Sequence, residues 1–229
     1  MDTNSLLKYT VHISLLIQIL TGLGNAWILQ YKTPPNVRIL RELVYAEIGV
    51  QIIEVIFYIW LTYNFFKISN ITPNRYYDWL ITTPTMLITT ISYFIFLKYK
   101  NANVDTSKLS IVNIVKKELW PILSVVLLNA IMLLFGFLNE MKMIGTQLAV
   151  TLGTIAFLAY FYIIYKKYVV GVEGAGTIFY VFFTLWSLYG VAALLPYDWK
   201  NISYNILDLI SKNFFGVFLT FVLYGYVNK

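Results

Sequence analysis

A chain of 229 residues that is 59% hydrophobic and only 12% charged, with a mean hydropathy of +0.69, has too little polar surface for a water-soluble domain. The net charge of +6 comes without a basic stripe interleaved with aromatics, which removes nucleic acid as a partner. There is no cysteine, so disulfides and thiolate metal centres are excluded and no metal site is expected.

Seven apolar stretches, at roughly 9–30, 40–66, 76–97, 119–138, 144–168, 176–196 and 204–227, come near the ~20 residues that cross a hydrocarbon core. They predict an all-α membrane protein, a seven-transmembrane-helix bundle with the lipid bilayer as its first partner. The connections are too short for a second domain, so residues 1–229 are expected to form one domain, and no leader is expected before the first span.

The first span carries Ser14, and His12 near its end reads as an interface residue without a role. In the second, Glu47, Gln51, Glu54 and Tyr58 fall at i, i+4, i+7 and i+11, on one face, with the two glutamates about 10 Å apart along the axis. Carboxyls at that depth are protonated, hydrogen-bonded or wet. Either the row lines a hydrated path, or Glu47 lies at the interface and Glu54 alone is deep.

The third span, RYYDWLITTPTMLITT, sets Arg75, Asp78, Thr82, Thr83 and Thr89 in apolar sequence, with Asp78, Thr82 and Thr89 on one face. Pro84 is tolerable there if threonines or neighbouring helices compensate the freed carbonyl. In the last span, Lys212 sits near mid-membrane, one turn after Asp208. A charged amine at that depth costs several kcal/mol, roughly 3 on insertion scales, unless it is paired or chemically converted. The pair therefore marks either a salt bridge or an amine turned into a Schiff base beside its counter-ion.

With the N-terminus outside, the inner side collects Lys32, Arg38, Arg41, Lys98, Lys100, Lys108, Lys116, Lys117, Lys166, Lys167 and Lys229. The outer side holds only Lys8, Lys67, Lys142 and Lys200. This asymmetry predicts an N-out, C-in chain. Two triplets, at Asn70 and Asn201, match glycosylation sequons on the outer side, a pattern that also arises by chance.

RYYDWLITTP resembles the third-helix motif of microbial (type I) rhodopsins, DLISK their retinal-binding motif, and WSLYGVAALLP the segment that covers the retinal ring. The resemblance spans all seven stretches in order. It implies a photoreceptor rather than an enzyme, with all-trans retinal held by Lys212 as a protonated Schiff base. Asp78 and Asp208 would be the counter-ions, with Arg75 on their outer side. Trp79, Thr83, Met86, Met132, Gly153, Thr154, Trp186, Tyr189, Gly190 and Ala193 would line the chromophore, and Asn129 would face Thr83.

Within that family, Glu47 and Glu54 fall where channelrhodopsins carry second-helix glutamates, and Asn213 follows the retinal lysine as an Asn does in those channels. Ser14, Glu54 and Asn213 resemble their central gate, and the set is similar to group 1 viral rhodopsins of algal large DNA viruses. The implied activity is a light-gated cation channel in a host membrane, carrying cations or protons. Glu47 and Gln51 would supply the inner half of the path and Arg75 with Asn205 its outer half. Glu54 is expected on that path and outside the chromophore slot. The alternatives are a sensory rhodopsin or a weak outward proton pump. The pump is disfavoured because Thr89 stands at the position of a carboxylic donor and Lys200 at that of a release glutamate. Leu61 and Phe65 depart from the algal channels, and a homo-oligomer is compatible with the family.

Overall fold

The computed structural model describes residues 2–228, so Lys229, counted above among the inner cations, lies outside the described residues. Among them run eight α-helices: α1 (Thr3–Trp27), α2 (Arg38–Asn64), α3 (Thr72–Asn101), α4 (Ile111–Lys117), α5 (Leu119–Glu140), α6 (Thr146–Ile164), α7 (Ala175–Ala192) and α8 (Tyr197–Val227). All except the short α4 belong to segments long and apolar enough to cross a membrane. The chain is thus a multi-pass integral membrane protein.

Local chemistry accounts for the helix ends. Asp2 caps α1, its carboxylate accepting from Ser5 N at 2.8 Å. Beyond the other end of α1, Arg41 of α2 donates to the carbonyls of Leu29 at 2.8 Å and Tyr31 at 2.9 Å, groups the helix itself leaves unsatisfied. Pro84 removes a backbone donor inside α3, and threonines tighten the surrounding turn: Thr82, Thr83 and Thr85 donate to the carbonyls of Asp78, Trp79 and Ile81 at 3.0, 2.7 and 2.8 Å.

Several helices differ in extent from the apolar stretches that predict them. α1 starts at Thr3 rather than near 9, α3 runs Thr72–Asn101 rather than 76–97, and α8 starts at Tyr197 rather than near 204. Hydropathy marks the lipid-embedded part of a helix, whereas the backbone hydrogen bonds continue past it. The sixth span closes early, at Ala192 rather than 196, because Pro196 disfavours helix at the residue before it and then opens α8. The fifth continues beyond α6 through a π-helical turn, Tyr165–Val169.

α1 packs between α2 and α8, α2 also meets α3 and α8, and α3–α5, α5–α6 and α7–α8 complete the bundle. The first and seventh spans run parallel in register. Thr3 Oγ1 donates to Asp198 Oδ2 (2.9 Å), Asn205 Nδ2 to Thr10 Oγ1 (2.8 Å) and Thr220 Oγ1 to Asn25 Oδ1 (2.9 Å), each pair 195 residues apart. A large aromatic cluster that includes Phe94, Tyr160, Phe161, Phe182 and Phe215 fills the half of the bundle nearer the C-terminus. Polar side chains are instead buried along α1, α2, α3 and α8, where the site forms.

Candidate functional site: a buried lysine in a polar seam

Lys212 is 2% exposed, and three helices bring carboxylates to its amine. Asp78 of α3 lies at 2.5 Å, Asp208 one turn back on α8 at 3.6 Å, and Glu54 of α2 is in direct ion-pair contact. With Arg75, which meets Asp208 at 3.2 Å, the cluster holds two cations and three carboxyls, a net negative centre when all are ionised.

The carboxyls are held unequally. Asp208 faces four donors: Trp79 Nε1 at 3.1 Å and Tyr189 Oη at 2.9 Å on Oδ1, Arg75 Nη1 and Tyr58 Oη, both at 3.2 Å, on Oδ2. Asp78 touches the amine through Oδ2, and its Oδ1 has no protein partner. Glu54 Oε2 accepts from Gln18 Nε2 at 3.2 Å. Glu54 therefore abuts the lysine amine without lining the cavity on its other side. Helical period alone does not show which neighbour a side chain reaches.

On the other side of the amine lies a cavity of about 250 Å³, lined by Trp79, Thr83, Met86, Met132, Gly153, Thr154, Trp186, Tyr189, Gly190, Ala193 and Lys212. Asn129 stands behind it, donating from Nδ2 to Thr83 Oγ1 at 2.7 Å. Phe157, Tyr160 and Phe183 also line the cavity, and in a chain that is 18% aromatic no periodicity singles them out. An apolar slot that ends on an amine ringed by carboxylates fits a rigid polyene aldehyde linked to that amine.

From the amine toward the N-terminal end of the bundle, polar groups satisfy one another. Arg75, fully buried, donates from Nε to Asn201 Oδ1 at 3.2 Å and from Nη2 to Asn205 Oδ1. Asn201 Nδ2 in turn donates to Thr72 Oγ1 and the Tyr197 carbonyl, both at 3.0 Å. Asn201 is 0% exposed, so it is no acceptor for a surface glycan, and the triplet there is a chance match. Ser14 Oγ donates to the Asn205 carbonyl at 3.3 Å, while Asn213 Nδ2 donates to the Leu209 carbonyl of its own helix at 2.8 Å. No hydrogen bond joins Ser14, Glu54 and Asn213 to one another.

Toward the C-terminal end the seam changes character. Gln18 Oε1, Asn25 Nδ2, Glu47 Oε2, both amide atoms of Gln51 and Asn213 Oδ1 are buried without a protein partner. Glu47 is as fully buried as Glu54, each 0% exposed, and accepts from Thr89 Oγ1 at 2.5 Å. A carboxyl thus reaches the Thr89 position after all, contributed by α2 instead of α3. At the opposite end, Lys200 meets Glu140 of α5 at 2.6 Å. Gln18, Asn25, Glu140 and Asn201 escape a reading by sequence because one polar residue on an apolar helix carries no sign of which neighbour it meets.

A family profile described as "Bacteriorhodopsin-like protein" matches residues 7–225. Among solved structures, viral rhodopsin OLPVRII is 25% identical over 96% of this chain and 98% of its own, with a TM-score of 0.81. A blue light-absorbing proteorhodopsin from Med12 is 17% identical over 97% and 98%, with a TM-score of 0.74. Xanthorhodopsin, titled a light-driven ion pump with dual chromophore, is 15% identical over 99% and 95%, with a TM-score of 0.71. No curated protein matches the chain.

Proposed function

From the premise that the chain belongs to the bacteriorhodopsin-like family of microbial rhodopsins, light-driven retinal proteins, we propose that it acts as a light-gated cation channel with its N-terminus outside. The observation that carries this reading is the buried polar seam along α1, α2 and α8, which passes through a carboxyl-rich centre and continues as unpartnered polar atoms. Polar atoms buried without partners each cost about 1–3 kcal/mol unless water or an ion meets them, so the inner half suits a hydrated path.

Lys212 would hold all-trans retinal covalently in the cavity above, and the group would supply light-driven isomerisation and a positive nitrogen at this centre. Asp78 and Asp208 are its counter-ions. Asp78, with one oxygen unpartnered, would take up the proton given up by the Lys212 nitrogen it touches, while Asp208 stays fixed by its four donors as the anchor of Arg75. Once the charge on Lys212 is lost, nothing holds Glu54 to it, and Glu54 moves with Gln18 away from the centre of the seam. Arg75, Asn205 and Asn201 form the outer closure; Glu47, Gln51 and Asn213 line the inner half.

A second reading, an outward proton pump, is favoured by the Glu47–Thr89 and Glu140–Lys200 pairs, which put a carboxyl near each end of the bundle. Voltage-clamp of retinal-supplied cells separates the two. A photocurrent that changes sign when sodium, potassium or proton gradients are exchanged supports the channel. A current that stays outward at every voltage and gradient leaves the pump.

A further inference from the structure

The amide of Gln51 occupies an unusual place. It is 1% exposed, neither of its polar atoms has a protein partner, and a glycine faces it from each side. A methyl group at Gly22 of α1 would lie 3.5 Å from Gln51 Oε1, which is ordinary contact. One at Gly216 of α8 would lie 3.0 Å from Gln51 Nε2 and 2.5 Å from Asn25 Nδ2. Asn25 is itself aimed there, since its Oδ1 accepts from Thr220 and its Nδ2 is left without a partner.

Glycine within a helix is less favourable than alanine, so Gly216 needs a reason beyond helix formation. The atoms it leaves room for are two unsatisfied amide ends, with Glu47 Cβ at ordinary contact distance. Such ends are satisfied when water or a cation's hydration shell passes between them. Resting on the channel reading above, we infer that Gln51 and Asn25 form the inner constriction of the cation path and that Gly216 sets its width. The ligand is a partly hydrated monovalent cation, met by the free Oε1 of Gln51 and the free Oε2 of Glu47, while the amide N–H groups of Gln51 and Asn25 donate to its water shell.

Gly216→Ala tests this by photocurrent with sodium or dimethylammonium as the carried cation. The new methyl crowds the mobile ends of Asn25 and Gln51 and meets Glu47 Cβ at an ordinary 3.5 Å, so the protein folds and, because Gly216 is outside the retinal cavity, its visible band stays in place. The expected result is a roughly tenfold smaller sodium current and a larger loss for dimethylammonium, as a narrowed polar pore requires. Gly22→Ala produces a smaller loss, and Gly24→Ala, which has nothing within 4 Å, produces none. Adding Asn25→Ala to Gly216→Ala restores current, because Asn25 Nδ2 is the atom the new methyl crowds most.

Unchanged currents and an unchanged ratio of the two cations in Gly216→Ala, with the parent conducting, overturn the constriction while leaving the channel standing. A parent without a reversing photocurrent overturns both. Should Gly216→Ala fail to bind retinal, Gln51→Ala alone decides: a raised dimethylammonium-to-sodium ratio supports the inference, and an unaltered ratio overturns it.

Discussion

The two halves of the polar seam meet at Lys212 and are built on opposite principles. On the N-terminal side, Arg75, Asn201, Asn205, Tyr58 and Asp208 spend their hydrogen-bonding capacity on one another. On the C-terminal side, Gln18, Asn25, Gln51, Glu47 and Asn213 keep atoms with no protein partner. Both halves are equally buried, so burial does not distinguish them. A fully satisfied network is rigid and resists opening; a partly satisfied one calls for a mobile third party. On the proposed channel reading, the closed element lies on the N-terminal side and the hydrated element on the other.

Removing the junction gives the largest expected effect. Lys212→Ala should abolish the visible absorption of retinal-supplied protein, since among the described residues no other lysine approaches its depth. A purified variant that kept a red-shifted band would sink the assignment of the lysine. Arg75→Gln comes next: it removes one of the two cations beside buried Asp208, a change of at most about 3–5 kcal/mol, and it should lower the temperature at which the band is lost on heating. Melting at the parental temperature would show the satisfied half to be far less tightly held than its geometry implies.

Asn205→Ala removes an acceptor for Arg75 and a donor to Thr10, a loss of about 1–3 kcal/mol, and should add a standing current in the dark. Silence in the dark, with normal photocurrents, would take Asn205 out of the closure. The smallest stability effect belongs to Gln51→Ala, less than about 1 kcal/mol because no protein hydrogen bond is lost. Equal destabilisation by Gln51→Ala and Asn205→Ala, read from the same melting curves, would erase the contrast between the halves.

How much was legible in advance differs by residue. Lys212, Asp78 and Asp208 stand out because charge in apolar sequence is costly wherever it occurs, and their motif spacing adds family context. The apolar stretches locate all seven spanning segments, though Pro196 and the long ends of α3 and α8 shift their limits. Glu54 was legible as a buried carboxyl but not as a neighbour of Lys212. Thr89 was legible as a missing carboxyl, but the Glu47 that reaches it comes from another helix.

By itself, then, the sequence determined that the chain lives in a membrane, that it crosses seven times, and that one deep lysine needs partners. Those properties follow from hydropathy, length and the solvation of charge, which depend on residue type and local spacing alone. Only the tertiary structure decided that three carboxyls converge on Lys212, that Asn201 is sealed inside against Arg75, and that Gly22 and Gly216 flank Gln51. These depend on the relative rotation and register of helices far apart in the chain, and a polar residue on an apolar helix has the same local signature whichever partner it will meet.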